Sequence, residues 1–482
     1  MKPFFVLAFL FVLASGSNAQ VRSLNLEEFL NDVQKNNKSF QSLKVNLEAS
    51  AEKRTSGDRE LIPVFTLKNT IFSDQKTPSM LGSTEMKSTQ YSLGFLKKFS
   101  TGTALNLSAN MSGYENLGMN PSSTLSSIYG KYAQGAVGVS LSQSLWKDFF
   151  GRATDLRKKR EDLYYNIEKF TLDFQYRKYL IEAENAFWDY LYLKEENSIR
   201  ESSLQRAKKI ESWFLQRVQD GVSDQTDLLS AKALVANREL QFSSSQDELT
   251  AIERKVRDIL ELKQSENFPI LNEDLYRTRA IFNPKEESES VDFIISQLQA
   301  KARHWEAQET QEQLKSDLNL SASYNTNSYE PSGSVMDSSR SWLQTDKPTA
   351  SVVITWTYLL DTEVKDSMLS ASQKSALASQ IQSERKHIDS LASWDELLRR
   401  YSELTKKIAI AESIKKIQLQ RAKSEQEKLS KGRTITATVI NSEQDAAEAS
   451  LMLIKLQVEH RKLESQSRLF EPVESILDKE IL

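Results

Sequence analysis

Residues able to do chemistry are few in this sequence, and none of them forms a recognisable reactive site. The three histidines, His304, His387 and His460, lie far apart on predicted helices, without a carboxylate or cysteine spaced to complete a metal-ligand set. The chain contains no cysteine, which excludes disulfides and thiol chemistry. It also lacks a glycine-rich phosphate loop. We therefore expect no enzyme activity, no cofactor and no metal, and we interpret His460, on an apolar seven-residue series, as a packed helix residue.

The most informative residues are two glycines that stand between long helices. No helix breaker occurs from about residue 154 to residue 219, which predicts roughly 100 Å of helix at about 1.5 Å per residue. Gly221 follows this stretch, and Gly432 follows a second one at about residues 364–430. A tight turn between helices commonly needs a positive φ angle, which glycine adopts without a Cβ clash. The sequence therefore predicts two helical hairpins.

Each return helix begins with apolar residues spaced by seven, a pattern that keeps one helix face against a partner. The same offset of 211 residues separates Gly221 from Gly432 and Leu228 from Val439. The second half of the chain therefore repeats the first. The predicted segments are a signal peptide at 1–19, a first repeat at 20–263, a linker at 264–285, a second repeat at 286–471 and a tail at 472–482.

Strands with one apolar and one polar face precede the long helix in both repeats. Val139 and Leu141, for example, alternate with Ser140 and Ser142. Such strands belong either to a half-buried soluble sheet or to a membrane barrel with lipid outside and water inside. The predicted elements are short helices at 24–54 and 286–316, strands at 61–72, 132–146, 318–329 and 349–360, and an additional hairpin at 90–99 and 103–111. We interpret the additional hairpin as an extension outside a barrel or as a reshaped first strand.

The N-terminus has the pattern of a secretory signal peptide. Lys2 precedes an apolar run at residues 4–13, and the small residues Ser17 and Ala19 predict cleavage after Ala19. No later stretch approaches the roughly 18 apolar residues of a membrane helix, so membrane insertion would require β-structure. The formal net charge of −3 implies neither nucleic acid nor a strongly acidic partner.

The two turns and the segments before the long helix match motifs of a known family. Gly221-Val222-Ser223 with Asp227 and Leu228, and Gly432-Arg433-Thr434 with Val439, are similar to the family's two hairpin tips. Residues 142–146 are similar to its strand-to-helix junction, and residues 37–63 to its opening helix and proline-started strand. The layout over nearly the whole mature chain resembles the TolC family of outer-membrane efflux proteins.

The resemblance implies a mainly α-helical fold with membrane β-structure and an internal duplication. Long antiparallel helical hairpins would form a coiled-coil tunnel in the periplasm, and a homotrimer would contribute four strands per chain to one 12-stranded barrel in outer-membrane lipid. The implied partners are a periplasmic adaptor (membrane-fusion) protein and an inner-membrane pump, with no nucleic acid. The implied function is a passive exit duct for small molecules or proteins in a tripartite efflux or type I secretion system.

The resemblance also implies two sets of functional residues. Many family members carry two carboxylates at the tunnel entrance where this sequence has Thr438 and Asn441, and Asp220 and Lys431 replace frequent small apolar residues. The predicted adaptor-docking residues are Gly221, Val222, Ser223, Gly432, Arg433 and Thr434, and the predicted entrance residues are Asp227, Thr438 and Asn441.

A second hypothesis, from a different class, is a soluble periplasmic coiled-coil adaptor or scaffold protein. It explains the long helices and the signal peptide. It does not explain paired strands that lie between helices in both repeats.

Overall fold

A computed structural model describes residues 22–75, 83–119, 124–273, 289–342 and 347–471 of the chain. The predicted signal peptide, the tail at 472–482 and part of the linker lie outside the described residues. The helices are α1 (Leu26–Asn36), α2 (Lys38–Ser56), α3 (Thr124–Tyr129), α4 (Arg152–Gln219), α5 (Gln225–Leu260), α6 (Val291–Gln313), α7 (Val335–Arg340), α8 (Thr362–Ser430) and α9 (Thr436–Gln466). The strands are β1 (Ser23–Leu24), β2 (Val64–Asp74), β3 (Glu85–Lys98), β4 (Thr103–Leu117), β5 (Lys131–Ser144), β6 (Ile270–Leu271), β7 (Asp317–Glu330) and β8 (Pro348–Thr357).

Two compact units make up the chain, and each combines segments of both sequence repeats. The sheet unit comprises Asn46–Thr171 and Asp292–Asp389, and it contains the large sheet. The turn unit comprises Met1–Val45, Leu172–Val291 and Ser390–Leu482, and it contains both glycine turns. The long helices α4 and α8 each contribute residues to both units.

The predicted helix at 24–54 is interrupted, and that part of the prediction is wrong. Asn25 caps α1, because its side chain accepts a hydrogen bond from the Glu28 amide (2.9 Å) while the Glu28 carboxylate accepts from the Asn25 amide (3.0 Å). Asn37 then has an extended backbone, and its Nδ2 donates to the carbonyl of Ile259 on α5 (2.9 Å). Its Oδ1 accepts a hydrogen bond from the Ser39 amide (2.8 Å) and so caps α2, which begins at Lys38. The local cap and the contact with a distant helix together hold Asn37 outside the helical conformation.

Among the described residues, six strands form one antiparallel sheet in the order β2-β3-β4-β5-β7-β8. The additional hairpin is β3–β4, and it lies inside this sheet. Phe95 of β3 is opposite Phe65 of β2, and Leu105 of β4 is opposite Leu141 of β5. Both edges of the hairpin therefore pair with neighbouring strands. Its place relative to a barrel, as an extension outside it or as a reshaped first strand, stays a prediction.

The register of the sheet separates apolar from polar side chains, since residues directly opposite each other share a face. Val139, Leu141, Leu320 and Ile354 lie together, as the alternation predicted. The apolar face carries Phe65, Leu67, Ile71, Tyr91, Leu93, Phe95, Leu105, Leu107, Ala109, Met111, Val137, Val139, Leu141, Leu318, Leu320, Ala322, Tyr324, Val352, Ile354 and Trp356. The polar face carries Thr66, Thr70, Gln90, Ser92, Asn106, Ser108, Asn110, Ser112, Gln134, Ser140, Ser142, Asn319, Ser321, Ser323, Asn325, Thr349, Ser351 and Thr355, together with the charged Lys68 and Lys98 and the apolar exceptions Val64, Phe72, Leu96 and Val353.

His460 lies inside the packed helices of the turn unit, as its place on the apolar series predicted. Its ring is 4.3 Å from the ring of Tyr401 on α8, and Thr405 Oγ1 is 3.3 Å from His460 Nε2. Burial disfavours the protonated ring, and the positive charge of Arg461 adds to this effect, so the pKa of His460 falls from 6.5 to about 4. His460 is therefore neutral near pH 7.

The pKa of His460 predicts acid sensitivity of the turn unit. Because the unfolded chain binds a proton near pH 6.5 and the folded chain only near pH 4, stability is lost as the pH falls between these values. The slope contributed by one such group reaches about 1.4 kcal/mol per pH unit. His460→Gln should flatten the pH dependence of the urea midpoint in this window, and the exposed His304→Gln serves as the control. An unchanged slope in His460→Gln would contradict the prediction.

Candidate docking site at the helical turns

Both long helices end in the same backbone turn, with glycine in the left-handed region. Gly221 has a φ angle of 72° and Gly432 one of 66°. In the first turn the Gly221 amide donates to the Val218 carbonyl (3.1 Å) and the Val222 amide to the Arg217 carbonyl (2.9 Å). The corresponding amides of Gly432 and Arg433 donate over the same spacings (2.9 and 2.8 Å). These are the two hydrogen bonds of a Schellman motif, so the predicted glycine turns are confirmed.

The two turns are held side by side within the turn unit. Asp227 links them, because its carboxylate accepts hydrogen bonds from Ser223 Oγ (2.9 Å) and from Thr436 Oγ1 (3.2 Å) at the start of α9. An apolar cluster contributed by α4, α5, α8 and α9 packs next to them. Its buried members are Ile210, Phe214, Leu228, Ala231, Leu429 and Val439. The structure therefore brings the predicted docking residues of both repeats to one place.

The surface of the paired turns is partly apolar. Val222 is 61% exposed, and Ile435 between Thr434 and α9 is 70% exposed. Ile435 occupies the N-cap position of α9, where its side chain cannot accept a hydrogen bond from the first-turn amides. A polar cap would stabilise the helix better. The isoleucine thus places an apolar side chain in water at a position where helix stability favours a polar one.

The exposed charges of the two turns have opposite signs. Asp220 and Asp224 flank the first glycine turn, and Lys431 and Arg433 flank Gly432 in the second. Ser223 and Thr434 are half-buried and hydrogen bonded. The paired turns therefore present an acidic side and a basic side with exposed apolar residues.

Two further residues shape the turns, and the sequence analysis missed both. Glu425 accepts hydrogen bonds from Lys428 Nζ (2.7 Å) and from Thr434 Oγ1 (2.8 Å), which together lower the pKa of its carboxyl. Arg217 lies 4.6 Å from the ring centre of Trp213 and donates to the Val222 carbonyl (3.3 Å). The sequence did contain a signal for Arg217, because Trp213 and Arg217 are four residues apart and so lie on one face of the helix.

The predicted entrance residues occupy different environments. Asp227 is half-buried and holds the two turns together, Thr438 is half-buried on α9, and Asn441 is exposed one turn further along. The carboxylate that follows them on α9 is Glu443, which is buried. Its oxygens accept from Arg206 Nε (2.5 Å) and from Gln426 Nε2 (2.8 Å), so its charge is neutralised by the protein itself.

The described ranges contain neither a metal-binding cluster nor a membrane-spanning helix. No group of three His, Cys, Asp or Glu side chains there is placed to hold a metal ion. None of the described helices is both long enough and apolar enough to cross a membrane.

Comparison with known structures places this architecture. The outer membrane protein VceC from Vibrio cholerae matches 92% of this chain and 95% of its own, with a TM-score of 0.67 and 11% sequence identity. The MtrE outer membrane channel of Neisseria gonorrhoeae, in its open state, matches 97% of both chains, with a TM-score of 0.63 and 12% identity. The CmeC outer membrane channel of Campylobacter jejuni matches 95% of this chain and 88% of its own (TM-score 0.65, 10% identity).

The chain has the fold of these outer-membrane channels. The TolC-like fold predicted from the sequence, with long helical hairpins and an antiparallel sheet, is therefore confirmed. No protein-family model matches the sequence, and comparison with curated proteins also gives no match.

The glycine turns predict a specific pattern of substitution effects. A Cβ added at Gly221 or Gly432 would meet no atom within 4 Å, so the cost of a substitution comes from the backbone alone. Gly432→Val should lower the free energy of unfolding by about 1–2 kcal/mol, because a branched side chain opposes the left-handed conformation. Gly432→Asn is the matched control and should cost less, since asparagine tolerates this region. Equal urea midpoints for the two variants would contradict this account.

Proposed function

We propose that this chain is the outer-membrane channel of a tripartite efflux or type I secretion system, a passive conduit from a periplasmic adaptor to the exterior. The observation that carries the proposal is the continuous apolar face of the six-stranded sheet. Phe65 and Leu67 are each 68% exposed and Ile71 is 79% exposed. An apolar surface of this extent needs a cover, and outer-membrane lipid covers the apolar face of barrel strands.

The subunit would act as a homotrimer. The strands β2 and β8 end the sheet, and their lengths of 11 and 10 residues are nearly equal. Pairing β8 of one copy with β2 of the next is a heterologous contact that closes under cyclic symmetry. Closure also removes two edges that would otherwise invite unspecific pairing.

A periplasmic adaptor would dock at the paired turns and connect the channel to an inner-membrane pump. The exposed Val222 and Ile435 offer apolar contacts, while Arg433 and Asp224 offer charges of opposite sign. Three copies would provide six related turns. Asp227, Thr438 and Asn441 would lie at the tunnel entrance, where Asp227 supplies one carboxylate per chain.

The alternative of a soluble adaptor or scaffold accounts for the long helices but not for the sheet. It would leave the apolar face of the sheet in water, or require an unrelated protein to cover the whole face. The channel proposal uses the sheet, the long helices and the turns together.

Fractionation of cells that produce the full chain tests the location and the assembly. The protein should be recovered in the outer membrane, and the solubilised form should have a mass of about 160 kDa, as a trimer of the mature chain. Leu141→Arg on the apolar face should reduce membrane recovery, because arginine at a lipid-facing midplane position costs about 2–4 kcal/mol. Ser142→Arg on the polar face is the matched control. Recovery as a soluble periplasmic monomer would overturn the proposal.

Ile435→Ser separates docking from stability. Serine caps helices well, so the variant should gain about 0.5–2 kcal/mol in stability while it loses apolar contact with the adaptor. Loss of a buried isoleucine contact worth about 1.5–3 kcal/mol should weaken adaptor binding roughly tenfold or more. Cross-linking to the adaptor in cells and dye efflux measure the effect. Ala437→Ser, exposed on the same turn of α9, is the control, and full cross-linking by Ile435→Ser would show that the turns are structural only.

A further inference from the structure

We infer that three copies of this chain close an 18-stranded pore, wider than the 12-stranded barrel implied by the family resemblance. The inference rests on the proposed function, because the homotrimer is part of that proposal. Its own basis is the position of the β3–β4 hairpin and the width of the sheet relative to the helices beside it.

The hairpin is a full part of the sheet along both of its edges. Its pairing with β2 runs from Val64 opposite Leu96 to Asp74 opposite Met86. Its pairing with β5 runs from Thr103 opposite Gln143 to Glu115 opposite Lys131. No part of either strand is free to lie against the outside of the sheet, so the hairpin adds two strands to the wall itself.

The side chains of the hairpin have the same two-faced pattern as those of its neighbours. Leu93 and Leu107 lie on the apolar face beside Val139, whereas Asn106 and Ser108 lie on the polar face beside Ser140. A wall strand needs lipid on one side and water on the other, and this alternation supplies both. A hairpin that covered the barrel from outside would not need a polar face of serine and asparagine.

The width of the sheet agrees with the width of the helical layer in the same unit. Four helices about 8–10 Å apart occupy about 32–40 Å. Six strands with a spacing of about 4.8 Å and a tilt of about 40° occupy about 38 Å, but four strands only about 25 Å. The helices lie side by side through ion pairs between neighbours: Arg54 with Asp162 (α2 with α4, 2.7 Å), Arg160 with Glu309 (α4 with α6, 2.6 Å) and Lys386 with Asp292 (α8 with α6, 2.5 Å).

The added strands change the pore and its cargo. The diameter of a barrel grows roughly linearly with strand number, so 18 strands give a ring radius of about 18 Å against about 12 Å for 12 strands. The polar face consists mostly of serine, threonine, asparagine and glutamine. We expect such a pore to pass polar solutes too bulky for a 12-stranded pore, with weak preference for either sign of charge.

Pulsed electron spin resonance on the full-length trimer measures the ring directly. Because the chain has no cysteine, a single introduced cysteine carries the only nitroxide label. Equivalent positions in a three-fold ring should be about 31 Å apart in an 18-stranded barrel and about 21 Å apart in a 12-stranded one. Labels at Ser140→Cys and Leu141→Cys point to opposite faces, so the mean of their two distances cancels the length of the label.

A second pair, Ser108→Cys and Leu107→Cys, makes the same measurement on the hairpin. Mean distances near 31 Å at both pairs support the inference. A mean near 21 Å at the first pair, with a longer one at the hairpin pair, would place the hairpin outside the wall and overturn the inference while the proposed channel stands. Native mass measured on the same samples tests the trimer itself. A species other than a trimer would overturn both the proposed function and the 18-stranded pore.

Discussion

The structure depends on continuous packing along its long helices. A helix of 68 or 69 residues gains little from its own propensity in water and needs a partner along its length. Near the turns the return helices α5 (36 residues) and α9 (31 residues) supply that partner, and the glycine turns allow the chain to reverse. Within the sheet unit α2 pairs with α4, and α6 with α8, as the ion pairs Arg54–Asp162 and Lys386–Asp292 show. The apolar cluster beside the turns combines residues of four helices, so it ties the two hairpins to each other. The candidate docking surface is therefore a consequence of how the hairpins pack.

Polar groups inside this packing set where the helices sit relative to one another. Asp173 and Arg177, four residues apart on α4, are fully buried and paired at 2.7 Å, and Arg177 connects α4 to the segment after α9 by donating to the Glu471 carbonyl (2.7 Å). Removing one partner of such a pair is costly, because the other charge stays buried. The neutral ring of His460 on α9 packs against the ring of Tyr401 on α8. These contacts make a slipped helix register unfavourable.

The sheet obeys a different constraint, the strict alternation of side chains along a strand. A shift of one residue would move every apolar side chain of a strand to the polar face. The six strands keep a common register, so one face stays apolar from Phe65 on β2 to Ile354 on β8. The strands of the β3–β4 hairpin follow the same alternation. They therefore widen the sheet that forms the wall of the proposed pore.

The sequence by itself determined the elements whose signals are local. The absence of a helix breaker predicted the long helices, and the seven-residue spacing predicted the return helices. Gly221 and Gly432 predicted the turns, and the alternation predicted which strand residues share a face. Tertiary structure alone decided the contacts between distant segments, such as the bond from Asn37 to Ile259 and the link from Asp227 to Thr436. The spacing of apolar residues along the chain predicts the type of each element. It does not identify a contact partner more than 200 residues away, because that contact depends on the packing of the whole unit.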